Sequence, residues 1–290
     1  MFVVGLLLLI LFVALSGILF LLKVPVAFAI GISVVLLIGQ IWFSGPIALY
    51  SMGGKEVQAD DAPELHGIID RLCALANMPK PRVAIADTDI PNAFATGRSP
   101  KASVVCVTTG LLRRLNEPEV EAVLAHELSH VAHRDVAVMT IAGFLGLMAG
   151  MLTRVAYYAG LFGGFGEDDR NGGNAAGVEL IVMLVSIVVY AISFLLTRAL
   201  SRYRELAADR SGAILIGRPS LLKSALIKVT GAMSTIPTKD LRSAEHFNAF
   251  YFAPAIAGGF SLSSLFSTHP PLEVRIAKLD ELERQFSKPA

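Results

Sequence analysis

Charge is what this chain has least of. Only 17% of its 290 residues are Asp, Glu, Lys or Arg and 54% are hydrophobic, against about 25% charged in an ordinary soluble domain. That imbalance excludes a large soluble core as its explanation and marks a membrane protein. The net charge is +1, so the basic surface that a nucleic-acid partner requires is missing. Cysteine is scarce as well. Cys73 and Cys106 are the only two; they form no CxxC and cannot make a disulfide framework. Cys106, inside "ASVVCVTT", reads as a buried strand residue, and nothing demands an oxidising compartment.

Long apolar runs take the place of charge. Met1 to Leu22, Val24 to Phe43, Val136 to Leu152 and Val178 to Thr197 each approach the roughly 17–25 residues that cross a bilayer as a helix. Ala27-Phe28-Ala29 mimics a signal-peptide cleavage site, but no basic residue precedes Lys23 and the apolar run resumes at once to Phe43. One helix of that length would reach about 64 Å, twice the hydrocarbon thickness. A hairpin turning near Lys23-Val24-Pro25 is the reading that fits. Four spans put both polar blocks on one side. Lys55, Arg134, Arg198, Arg202, Arg204 and Arg210 flank the spans there, and Lys23, Arg154 and Arg170 flank them on the other side, so the positive-inside rule makes the blocks cytoplasmic. The glycine-rich 158–177 loop, net acidic at Glu167, Asp168 and Asp169, gives no clue to its role.

The expected organisation is a transmembrane hairpin over 1–43, the first half of a cytoplasmic domain over 44–135, two more membrane helices with their loop over 136–200, and the second half of the domain over 201–290. In the first half, "PELHGIIDRLCALANM" has helical spacing after Pro63. "RVAIA", "NAFATG" and "ASVVCVTT" read as short strands between turn signals. Asn116 caps the next helix, with Pro118 in its first turn and Glu119 three residues beyond the cap. That helix runs into "AHELSHVAHRD". In the second half a helix continues span four through "SRYRELAADRSG", and "LLKSALIKV" and "HPPLEVRIAKLDELERQF" are helical in pattern.

His126 and His130 stand four residues apart, so a helix projects both imidazoles from one face. Two ring nitrogens so placed reach a single Zn²⁺ at roughly 2.0–2.1 Å. Glu127 follows the first histidine and is placed as general base toward the attacking water, whose pKa the metal lowers to about 7. Chance produces the HExxH pattern in about 0.5% of chains of this composition, which favours the zinc reading. A catalytic site needs a third protein ligand and one open position. His133 fails on reach, since seven helical residues rise about 10.5 Å. A metzincin would need Gly at 133 and His at 136, and the chain has His133 and Val136. Glu179 is at the wrong end of span four. Glu205 lies about 7 Å of helix beyond that span and His130 about 9 Å before span three, at nearly the same height. Asp209, one turn after Glu205, is placed to take the second ring N–H of a ligating histidine. The alternative for "RELAADR" is a surface helix with charge pairs. His269 and Arg275 in "STHPPLEVRI" read either as a helix start with an exposed arginine, or as cations able to stabilise an oxyanion.

"HELSH" with "RELAAD", four spans, "PNAFATG" and "THPPLEVRI", in this order over nearly the whole chain, resemble the HtpX-type membrane zinc endopeptidases, relatives of the CaaX prenyl endopeptidases. Leu206 stands where that family often has an aromatic residue. The resemblance implies an α+β zinc metalloprotease domain with a small antiparallel sheet on a four-helix transmembrane anchor. It implies one Zn²⁺ per chain on His126, His130 and Glu205, Glu127 as base, Asp209 supporting the ligands, and His269 and Arg275 assisting the transition state. Asn92, Ala93, Phe94 and Ala95 would belong to an edge strand that pairs with extended substrate; the residues alone are equally consistent with an internal strand. The implied setting is the bacterial inner membrane, with the domain in the cytoplasm cleaving damaged or misfolded membrane proteins. Rivals are a specific processing protease, for which four spans look too few, and a transporter, for which ionisable residues inside the spans are lacking. An inactive scaffold is disfavoured because no catalytic group is missing.

Overall fold

The structure, a computed structural model, describes residues 10, 26–162, 172–235, 252 and 268–287. Apart from Ile10, the expected first span and the Lys23–Pro25 turn lie outside the described residues, as does the centre of the glycine-rich loop. The chain divides into two compact units. One takes residues up to Gln40 with Val138–Leu200, and the other takes Ile41–Ala137 with the residues from Ser201 onward.

Three helices supply the first unit: α1 (Val26–Ser51), α5 (Asp135–Phe162) and α6 (Gly172–Ile216). Among the described residues two helices are long and apolar enough to cross a bilayer, at Val34–Ser51 and Leu180–Ile216, not the four expected. The third expected span is helical, within α5, but passes the same test only when joined across a 59° bend to α4 (Glu117–Ala132). α4 itself is buried within the other unit. α1 runs on past Phe43, through Pro46, to Ser51. Leu145, Ala149 and Val189 form the apolar contact of α5 with α6, and Gly146 and Gly150 set Ser193 and Tyr190 against bare backbone, the small-residue packing usual between membrane helices.

The second unit is built on a four-stranded sheet of β1 (Gly54–Glu56), β2 (Arg82–Ala86), β3 (Ala93–Gly97) and β4 (Ser103–Thr108), in the order β1-β2-β4-β3. It is mixed rather than antiparallel, because β2 and β4 run parallel while the other two pairs are antiparallel. The reason is topological. β3 turns back onto β4 through the short 3₁₀ segment Pro100–Ala102, and β4 then fills the place beside β2, so that β3 ends at the edge. All six residues of β4 are buried, as a strand covered on both faces requires. On one face Val83, Val105 and Val107 meet Ile69 and Leu72 of α2 (Pro63–Leu75) and Val123 and Leu128 of α4. The same cluster takes in Leu222 and Leu226 of a later helix and Leu279 of the last one. On the other face Ala84, Phe94, Val104 and Cys106 pack with Ala48 of α1. Burial alone pushes the Cys106 thiol up to about 12, so it is an inert core group.

α3 (Thr109–Arg114) leads into α4, which starts on a complete capping box. The Asn116 side chain accepts from the Glu119 N–H, and Glu119 Oε2 accepts from the Asn116 N–H, both at 3.0 Å. Glu119 does more than cap. Its carboxylate also takes Ser224 Oγ at 2.7 Å and Lys228 Nζ at 2.8 Å from α7 (Pro219–Thr235). Burial raises this carboxyl, but the bonds from Lys228 and Ser224 outweigh it and hold the group below its ordinary value of 4.5. A lowered carboxyl stabilises the fold above that value, and the contribution fades as pH falls through the folded-state pKa. Glu119→Ala removes the carboxylate half of the capping box and strands its partners on Asn116, Ser224 and Lys228. The expected loss is about 2 kcal/mol, seen as a melting temperature lower by on the order of 5 °C in detergent at pH 7. An unchanged melting temperature would show that α4 and α7 are held by apolar packing alone.

Candidate metal centre

The exposed His133 and Arg134 aside, the polar side chains of "AHELSHVAHRD" turn inward. His126 is 1% exposed and Glu127 4%. The two imidazoles sit one turn apart on α4, and their Nε2 atoms approach to 3.2 Å. Glu205, on α6, faces both, with Oε2 3.8 Å from His126 Nε2 and Oε1 3.5 Å from His130 Nε2. The donor atoms of these three residues all lie within 4.8 Å of one another.

Close approach of the backbones makes this possible. Glu205, Asp209 and Gly212 share a face of α6. A Cβ built on Gly212 would stand 2.8 Å from the His126 nitrogen and 2.9 Å from its Cα. Any side chain there would force the helices apart, so glycine is required by packing rather than by conformation.

Each histidine is held from behind by a carboxylate. His126 Nδ1 lies 2.9 Å from Asp209 Oδ1, and His130 Nδ1 lies 2.7 Å from Asp135 Oδ2. Each carboxylate meets a guanidinium in turn. Arg275, on α8 (Leu272–Phe286), binds Asp209 in bidentate fashion at 2.6 and 2.7 Å and donates to the Phe252 carbonyl at 2.9 Å. Arg204 pairs with Asp135 and donates to the His133 carbonyl at 3.3 Å. Arg134, in the left-handed region at φ 56°, turns the chain between α4 and α5 so that Asp135 comes back onto His130.

The arrangement fits zinc. With each Nδ1 facing a carboxylate, the ring N–H belongs there and both Nε2 atoms present lone pairs to each other. Two imidazole nitrogens on one Zn²⁺ stand about 3.3 Å apart, close to the observed separation. Three buried carboxylates, of Asp135, Glu205 and Asp209, meet the two guanidiniums of Arg204 and Arg275 and a fourth, of Glu127, lies beside them, an excess of acidic groups that a divalent cation offsets. Buried charge of this kind must be neutralised. Three protein donors leave the open position that a catalytic zinc site keeps.

Glu127 is tied to the sheet. Its Oε2 accepts from the Ala95 N–H of β3 at 3.0 Å, and burial above all, with Glu205 nearby, pushes its carboxyl up to about 8 against the opposing pull of His130. Among the described residues β3 pairs only with β4. Asn92 stands just before it, its backbone interlocked with Thr108 and its side chain accepting from the Phe252 N–H at 2.9 Å. His269 Nδ1 is 3.0 Å from Glu205 Oε2, and Arg275, at 1% exposed, is not a surface arginine. Sequence reading missed Asp135, Arg204 and Gly212. An Asp five residues after the second histidine was the one local signal for the first of them.

The profile of Peptidase family M48 matches residues 59–283. Protease HtpX homolog 1 of Streptomyces coelicolor is 57% identical over 249 residues, covering 86% of this chain and 80% of its own length. The Moorella thermoacetica HtpX homolog is 52% identical over 251 residues, with coverage of 86% and 82%. Among solved structures the chain is similar to S. mikatae Ste24p, with a TM-score of 0.59 and 20% identity over 93% of this chain. This chain spans 62% of that one, and the likeness is one of fold. The chain belongs to peptidase family M48 and is of the HtpX type. It is a membrane metalloendopeptidase.

Two substitutions test the geometry. Glu205→Ala is expected to weaken zinc binding by more than the roughly 10–100-fold typical of a change behind the ligands, measured by chelator competition; wild-type affinity would reassign the third donor. Gly212→Ala should destabilise by about 1–3 kcal/mol through overpacking and weaken zinc binding as well. Gly67→Ala, exposed in α2 with nothing within 4 Å of the added Cβ, should leave zinc binding unchanged and raise stability by about 0.5–1 kcal/mol.

Proposed function

We propose that the protein is a zinc-dependent endopeptidase of the bacterial cytoplasmic membrane, multi-pass, which cleaves damaged or misfolded membrane proteins at the cytoplasmic face. His126, His130 and Glu205 hold one Zn²⁺ per chain. The observation that carries this reading is the convergence of those three donors beside Glu127, itself fastened to an edge strand. The excess of Lys and Arg flanking the polar blocks supports the cytoplasmic orientation.

When bound, zinc polarises the scissile carbonyl and lowers the pKa of water. Glu127 takes the proton of the attacking water and delivers it to the leaving amine. A bound cation favours the ionised carboxylate, which offsets the burial that pushes the Glu127 carboxyl up. Asp209 and Asp135 fix the two ring tautomers so that each Nε2 faces the ion. Arg275 acts through Asp209, since its donors go to that carboxylate and to the Phe252 carbonyl. Arg204 does the same for Asp135. His269 steadies Glu205, and its imidazole is the side chain assigned to transition-state support. Substrate lies extended along Asn92–Ala95 and adds a strand to β3, a mode that reads backbone and so accepts varied sequences.

The test is Glu127→Gln in purified, zinc-loaded protein. Self-cleavage and cleavage of an unfolded membrane-protein substrate should fall by at least about 10³-fold, with zinc content still near one per chain. Wild-type protein should lose the same activity on chelation and regain it with zinc. Undiminished cleavage by the variant would refute the role given to Glu127.

A further inference from the structure

A second cavity shares no residue with the metal group. It has a volume of about 560 Å³ and lies between the C-terminal part of α1 and the outer face of the sheet. That is within the range of sites for small ligands. Trp42, Leu49 and Tyr50 line it from the helix, and Thr96, Arg98 and Lys101 from the sheet. The Arg98 guanidinium stacks 3.9 Å from the centre of the Trp42 ring. Arg82 and Glu56 also line the cavity and pair with each other. Among the described residues neither Arg98 nor Lys101 pairs with a carboxylate, so the lining carries two uncompensated positive charges. Thr96 is 2% exposed, and its hydroxyl is buried without a hydrogen-bond partner.

The outward face of α1 says what comes near. Val35, Ile38, Trp42, Phe43 and Tyr50 are exposed and lie along the stretch Val34–Ser51 that is apolar enough to cross a bilayer. Trp and Tyr beside basic side chains at the end of such a helix are the composition of a membrane–water boundary. A guanidinium held over an indole can turn an N–H edge to phosphate oxygens, and a second cation at Lys101 suits a phosphodiester with net negative charge. The free hydroxyl of Thr96 matches the glycerol oxygens or the phosphate itself.

We propose that this cavity binds the headgroup of an anionic phospholipid, with the acyl chains lying along the exposed face of α1. Trp42 is the only tryptophan in the chain, so its fluorescence reports on the site directly. The experiment uses full-length protein carrying Glu127→Gln, to stop self-cleavage, in mixed micelles containing brominated phosphatidylglycerol or brominated phosphatidylcholine with the same acyl chains. Half-maximal quenching of Trp42 is expected at a mole fraction on the order of tenfold lower for the anionic lipid, from two basic groups near the phosphate. Adding Arg98→Gln and Lys101→Gln together should equalise the two lipids, while zinc content matches the parent. Equal quenching by both lipids in the parent would overturn the proposal, as would a preference that survives the double substitution. A submillimolar fluorescence response to soluble glycerol phosphate in lipid-free detergent would overturn it too, by making a free phosphate ester the ligand.

Discussion

The chemistry of this protein depends on how closely α6 lies against α4. Backbone meets backbone at Gly212 and His126, where an added Cβ would come within 2.8 Å of main-chain nitrogen. At that separation Asp209 and Glu205, one and two turns earlier on α6, are carried to the two sides of the His126 ring. Asp209 meets Nδ1 and Glu205 faces Nε2. A wider spacing would leave the His126 imidazole without a carboxylate on either side. The rest of the larger unit serves that contact. The sheet and α2 support α4 from one side, and the capping box with the Glu119 bonds to Ser224 and Lys228 locks α4 to α7.

Burying so much charge is costly unless each group is paired, and here the pairing forms two short chains. His126, Asp209 and Arg275 make one, and His130, Asp135 and Arg204 the other. They come from different elements, yet both end in a guanidinium and both aim a ring nitrogen at the same point. Rings so fixed cannot rotate away when the third donor moves, which is the preorganisation that a reactive site needs. Glu127 stands apart from both chains. It is held instead by an N–H from β3, a neutral donor that positions the carboxylate and only partly offsets the rise in its pKa that burial causes.

Much of this was legible in the residues. Two histidines and a glutamate at helical spacing, Glu205 and Asp209 one turn apart, and Asn116 with Glu119 are local patterns, and local periodicity carries them. The strands Arg82–Ala86, Ala93–Gly97 and Ser103–Thr108 were marked by turn residues. What local pattern does not encode is long-range pairing. The insertion of β4 beside β2, which makes the sheet mixed, follows from the path of the chain and not from alternation along any strand, and β1 is too short at three residues to register. Asp135 and Arg204 looked like charges flanking apolar helices, because their partnership spans some seventy positions. Gly212 carried no signal, since nothing in "DRSGAI" says that another helix will lie against it. Arg275 was read as exposed or reactive because burial of an arginine needs a bidentate partner that only the fold supplies.

If substrate adds a strand to β3 as proposed, selection among clients follows thermodynamically. A strand edge can be satisfied only by a polypeptide whose own amides are unengaged, and in a native protein they are already spoken for by helices and sheets. Such a client must first surrender local structure, and the free energy of that opening is subtracted from whatever it gains on docking. A well-packed protein is thereby rejected by its own cohesion, whereas a chain that has lost its tertiary partners enters at no such disadvantage. On that proposal, discrimination between sound and failing molecules would require no side-chain recognition at all. It is set by how tightly each candidate holds itself together.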